Sequence, residues 1–198
     1  MKKQILNLFG KMKKRTQMKH KLIGLTAAKT TGKTTIANAL AELSDSVKIV
    51  SFAAPLRSML QAMGVSQHNL NVAKEEPIEG LDQSARQLLC SLGTEWGRQM
   101  INEKIWLWAM NQQIQKLVNE SANPDDLIIV IDDCRFENEA EWIKQNGGQI
   151  VKLYREGIGY TAQHETEKPL PDHLIDWEFD AGGIKNCVKN LVEIILPQ

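Results

Sequence analysis

Long apolar runs are missing from this chain. The longest aliphatic stretch, Leu127 to Ile131, has five residues, whereas a membrane-crossing helix needs about 20, so no membrane span is expected. Cysteine is scarce. Cys90, Cys134 and Cys187 form an odd set without metal-type spacing, which excludes a disulfide framework and a cysteine-rich metal site and points to reduced thiols in the cytoplasm. Internal repeats and low-complexity linkers are also lacking, so solenoids and linker-joined arrays drop out. At 198 residues the chain suits one α/β domain with a real core.

Acidic residues are absent from the first 21 positions, which carry seven lysines and one arginine. The rest holds 16 basic against 24 acidic side chains, a net of −8 beneath an overall charge of zero. Such a tail can meet nucleic acid or an anionic membrane, or serve as a targeting segment. A disordered, solvated tail over 1–17 is the expectation, with nucleic acid not expected as a partner. Met18 is a sensible natural start, because Lys-His-Lys-Leu-Ile-Gly-Leu after it leads into a first strand.

Periodicity supplies the remaining order. Strands are expected at 20–26, 47–52, 127–131, 149–154 and 174–179. Helices are expected over 34–43, from Pro55, from an Asp82 cap through Leu92, over 97–119, over 138–145 and over 184–196. Residues 64–80 and 156–171 read as loops. Alternating strands and helices predict a parallel sheet covered on both faces, with ligands outside the strands' carboxyl ends.

The segment Ala27-Ala28-Lys29-Thr30-Thr31-Gly32-Lys33-Thr34 lies between a strand and a helix, as a phosphate-binding loop requires. Backbone amides of Lys29 to Thr35 would face the phosphates of ATP. Lys33 would reach the β- and γ-phosphates, and the Thr34 hydroxyl would ligate Mg²⁺. Ala27 replaces the usual first glycine and is tolerable in an ordinary backbone conformation.

Asp132 and Asp133 end the most aliphatic strand. Neighbours on an extended segment point opposite ways, so one faces the metal. Asp132 is the first choice, and Asp133 faces the acceptor or caps the next segment. Phosphoryl transfer between anions needs cations that bind phosphate with two donors. Arg57 and Arg135 sit near expected carboxyl-edge loops. Arg155 opens the 156–171 loop and could arrive when that loop closes as a lid. His164-Glu165-Thr166-Glu167 has no second ligand cluster and reads as a solvated loop or part of the lid.

Four blocks resemble the bacteriophage-type deoxynucleoside monophosphate kinases: Phe52-Ala53-Ala54-Pro55-Leu56-Arg57, Leu92-Gly93-Thr94-Glu95-Trp96-Gly97-Arg98, Asp132-Asp133-Cys134-Arg135-Phe136-Glu137-Asn138-Glu139-Ala140 and His164-Glu165-Thr166-Glu167. The resemblance runs from about residue 21 to 183. It implies a P-loop three-layer sandwich of adenylate-kinase type, with a five-stranded parallel sheet, an acceptor-binding helical region near 53–98 and a lid near 156–171. It implies ATP and Mg²⁺ as cofactors and a nucleoside or deoxynucleoside monophosphate as acceptor. By the same resemblance Arg86, Arg98 and Arg135 surround the acceptor. Phe52 and Trp96 pack on its base or sugar, with core packing the stronger expectation for Phe52. The turn containing Gly182 borders the donor adenine. Thr166 and Ala162 depart from the Ser and Asp common in that family's lid. Dimerisation stays open. Two rival readings are a dephospho-coenzyme-A-kinase-like enzyme with Asp133 as base, and a nucleotide-binding module without catalysis.

Overall fold

The computed structural model describes residues 20–160 and 168–195; the basic tail, Met18 and the His164–Glu167 block lie outside them. Five strands form one parallel sheet: β1 (Lys21–Ala27), β2 (Val47–Val50), β3 (Ile128–Ile131), β4 (Gln149–Tyr154) and β5 (Trp177–Asp180). Their spatial order is β2-β3-β1-β4-β5. β1 is central, with Leu22 opposite Ile129 on one side and Leu25 opposite Val151 on the other.

Pleating divides the strand side chains between two cores. Leu22, Ile129, Ile131 and Ile150 face the helices α5 (Ile105–Glu120) and α6 (Glu137–Gln145), where Trp106, Met110, Ile114 and Ile143 pack. Ile23, Leu25, Val130 and Leu153 face α1 (Lys33–Ala41) and α7 (Ile184–Ile195). This gives the expected three layers. Gly24 lets α6 approach the sheet, since a Cβ there would sit 2.7 Å from Ile143 Cδ1 and 2.8 Å from Ile150 Cδ1. Among the described residues no helix is long and apolar enough to cross a membrane. No disulfide links the three cysteines, and Cys134 and Cys187 are buried.

The acceptor side departs from expectation. α2 (Ala54–Ala62) starts where Pro55 indicates. The expected 64–80 loop contains α3 (Gln67–Asn71), whose cap Ser66 accepts from the Asn69 amide at 3.1 Å. The next helix, α4 (Ala85–Ser91), is capped by Ser84 rather than Asp82, in a reciprocal box with Gln87. The expected helix over 97–119 is two elements. A π-helical turn covers Leu92–Ile101, extended Asn102 breaks it, and α5 follows. Aromatic packing drives the break: Trp106 folds back so closely on Gly97 that a Cβ there would lie 2.4 Å from the indole ring. β5 starts at Trp177 instead of Leu174, because Leu174 belongs to a 3₁₀ turn and is buried in the core. Leu43 lies beyond the end of α1 and is 62% exposed.

Candidate active site

The carboxyl ends of β1, β2 and β3 open onto a cavity of about 670 Å³. β1 leads through α1 outward to β2, while β3 leads inward across β1 to β4. The crevice between β1 and β3 is therefore the switch point, where α/β sheets bind ligands.

The 28–35 loop forms one wall. Gly32 adopts φ 100° at the start of α1, a left-handed conformation that glycine takes without a Cβ clash. Ala27 has no positive φ, so the missing first glycine costs no backbone strain here; Thr30, at φ 64°, is the one non-glycine residue with positive φ among the described residues. The buried Thr31 hydroxyl donates to the Ala28 carbonyl at 2.9 Å and holds that turn. The Lys33 ammonium donates to the Ala27 carbonyl at 3.5 Å, a long bond that a better acceptor would outcompete. Burial, then the Arg135 guanidinium, pulls Lys33 down to about 8, against the attraction of Asp133 and Asp132. The terminal amides of α1 and this ammonium make an electropositive cradle suited to an anion.

Opposite stands the end of β3. The Asp132 carboxyl is pushed up to about 6 by burial and by Asp133, with Lys33 and Arg57 pulling it back. Its own backbone amide adds a smaller pull in the same direction as those cations. Asp133 is different. It accepts from the Ser51 hydroxyl at 2.6 Å, the Phe52 amide at 2.7 Å and the Ala53 amide at 2.9 Å. The carboxylate thus pins the segment after β2 instead of capping the segment that follows it, and it still lines the cavity.

The arginines line the far half of the cavity. Arg57 donates to the Leu70 carbonyl at 2.9 Å, which fixes it against α3. Arg86 lies 3.6 Å from Glu75, whose same oxygen is 2.6 Å from the Lys29 ammonium. Glu75 thus ties the phosphate loop to the acceptor side. Arg98 donates to the Gly93 carbonyl at 2.8 Å and to Glu139 at 2.6 Å, and its guanidinium lies 3.8 Å from the Phe136 ring centre. Glu139 also accepts from the Arg135 and Phe136 amides at 2.9 and 3.1 Å. Arg98 is therefore a brace between the π-helical turn and the β3–α6 loop as well as part of the wall.

The cavity brings together Lys29 to Thr35, Phe52, Arg57, Arg86, Arg98, Arg135 and both aspartates. Three expected residues stay off its wall. Trp96 packs on Trp106, with ring centres 6.4 Å apart, and Trp106 lines the cavity in its place. Arg155 is exposed at the end of β4 in a bridge with Ile158. The Gly182 amide donates to Asp180 at 2.8 Å, so it is already engaged. Phe52 lines the cavity but is 5% exposed and sits in the core, as expected for it. Sequence reasoning missed Lys74, Glu75 and Glu139 as wall residues. Glu139 had a signal, since it lies in the Asp-Asp block; Lys74 and Glu75 lay in a polar segment with none.

A family model for deoxynucleotide monophosphate kinase matches residues 64–177, over half of the chain. The chain belongs to the deoxynucleotide monophosphate kinase family. That match includes α3, α4 and the Asp-Asp block; the phosphate loop and α2, with Arg57, precede it. Within the family, the deoxynucleoside-5′-monophosphate kinase of Escherichia phage T5 is 38% identical over 131 residues, covering 61% of this chain and 49% of that protein. The aligned part thus spans about half the length of the phage relative. A candidate deoxynucleotide monophosphate kinase of Acanthamoeba polyphaga mimivirus is 28% identical over 161 residues, 75% of this chain and 81% of that one. Among solved structures, shikimate kinase from Aquifex aeolicus aligns with TM-score 0.45 at 14% identity over 87% of this chain and 94% of its own.

Proposed function

We propose that this chain transfers the γ-phosphoryl group of ATP to a deoxynucleoside monophosphate, giving the diphosphate and ADP. The observation that carries the reading is the division of one cavity into a phosphate loop and an arginine-lined wall. The attacking oxygen would belong to a phosphate already ionised near neutral pH. Catalysis then needs alignment and charge cancellation rather than a base.

Lys33 and the loop amides would hold the β- and γ-phosphates. The Thr34 hydroxyl and the Asp132 carboxylate supply hard oxygen donors on facing parts of the wall, and they fit Mg²⁺, which takes one or two protein oxygens and leaves the rest to water and phosphate. Mg²⁺ would neutralise charge between the β- and γ-phosphates. Arg57, Arg86 and Arg135 would bind the acceptor phosphate, with Arg98 bracing that wall. Arg155 would join on closure of the 156–171 loop. The engaged Gly182 amide leaves other backbone atoms of its turn to border the adenine. Cysteines without a disulfide and ATP use suit the cytoplasm.

Asp133 weighs against a hydroxyl acceptor. That rival needs a carboxylate base, and three donors already tie Asp133 to the segment after β2. The test is to supply the full chain with Mg-ATP and separate nucleoside, deoxynucleoside and hydroxyl acceptors, and to read ADP and products. Lys33→Ala should lose ~100-fold or more in turnover while staying folded. Full turnover in that variant would remove the reading.

A further inference from the structure

The cavity holds a cation that the roles above do not use. Lys74 follows α3, lines the cavity and is half-buried. Its backbone carbonyl accepts from the Arg86 amide at 3.0 Å, which fixes the turn beside α4. Among the described residues its ammonium has no carboxylate within ion-pair distance. Its neighbours are Arg57, Arg135, Arg86 and Lys29, and they and burial act together to lower its proton affinity. The carboxylates on the cavity wall are directed elsewhere: Glu75 to Lys29 and Arg86, Asp133 to the segment after β2, Glu139 to Arg98, and Asp132 to Lys33 and Arg57. A partly desolvated ammonium among four like charges is unfavourable unless an anion arrives.

Resting on the proposed transfer to a monophosphate, we infer that Lys74 is a direct ligand of the acceptor's phosphate group and sets the site's preference for a phosphomonoester over a neutral acceptor. It shares the cavity wall with Lys29 of the phosphate loop and with Arg57, Arg86 and Arg135, so it borders the space that the donor and acceptor phosphates would share. An ammonium there would offset repulsion between them without occupying the donor cradle.

The test compares the full-length wild type with Lys74→Gln and Lys74→Arg, using each preferred monophosphate, Mg-ATP and inorganic phosphate. Glutamine keeps the backbone contact with Arg86 and removes only the charge. Lys74→Gln should raise KM for the monophosphate about 10- to 100-fold, the size of a lost charged hydrogen bond. KM for ATP should stay within about twofold. Lys74→Arg should restore much of the loss. Without ligand, Lys74→Gln should melt no lower than wild type, because removing an unpaired charge relieves repulsion. Stabilisation by millimolar phosphate should shrink in that variant. An unchanged monophosphate KM, or a KM rise that comes with a lower melting temperature and no rescue by arginine, overturns the inference. If wild type phosphorylates no monophosphate, the broader functional reading fails instead.

Discussion

Replacing Glu139 by alanine tests how the acceptor wall is held. Glu139 is 2% exposed and Arg98 14%. Their 2.6 Å contact is one of three bonds to the carboxylate, the others coming from the Arg135 and Phe136 amides. Burial, and then Asp133, pushes the Glu139 carboxyl up to about 7, while Arg98 and the two amides pull it back. All three partners are donors, which suits an ionised acceptor. Glu139→Ala would leave a guanidinium with little solvent and two amides without their partner. Breaking one side of a buried pair is worth about 3–5 kcal/mol. For a chain of this length each kcal/mol moves the melting temperature by about 2–4 °C, so a drop of roughly 6–20 °C is expected by circular dichroism without nucleotide. Arg98→Met combined with Glu139→Leu removes both charges and should melt well above Glu139→Ala, giving a favourable coupling in a double-mutant cycle. A drop below about 2 °C in Glu139→Ala, or a double variant no better than the sum of its singles, would refute the brace.

Gly97→Ala should destabilise by about 1–3 kcal/mol through overpacking, because its Cβ meets the Trp106 ring at 2.4 Å and the Leu92 carbonyl at 2.8 Å; an unchanged urea midpoint would mean the π-helical turn yields freely. His20 should make the fold acid-sensitive. Burial lowers its proton affinity, so as pH falls below about 6.5 the unfolded chain takes up protons that the folded chain resists. Stability is therefore present above that pH and lost toward the lower folded value. His20→Asn should lose less melting temperature than wild type between pH 7.5 and 5.5, and equal losses would contradict this.

The donor half was legible because its chemistry is local. Strand, loop and helix follow one another within about twenty residues, and Lys33, Thr34 and the loop amides need no distant partner to be placed. β3 was legible for a similar reason, since four buried aliphatics followed by Asp132 admit few other readings. The acceptor half was not, because its contacts join segments far apart in sequence. Asp133 reaches back to Ser51, and Glu139 reaches back to Arg98; neither link leaves a periodic trace. The break at Asn102 was hidden by an apolar spacing that suits one continuous helix, and it was decided by an indole packing onto a glycine. Trp96 and Trp106 changed places for the same reason. Lys74 has no sequence signal, because what marks it is the set of cations that folding gathers around it.

Two adjacent aspartates show how the fold turns a repeated residue into two functions. On an extended segment their side chains diverge, and the parallel neighbour β2 lies on one side. Asp133 meets the Ser51 hydroxyl and the Phe52 and Ala53 amides there, so fixed dipoles hold its carboxylate against the segment after β2. Asp132 faces Lys33 and Arg57, with its own backbone amide as a lesser partner, and burial and Asp133 push its carboxyl up to about 6. A cation would reverse that difficulty, since a metal beside Asp132 favours the carboxylate as strongly as burial opposes it. On the proposed function, the carboxylate that the fold leaves costly is the one that would hold Mg²⁺, and the one pinned by three donors serves as scaffold.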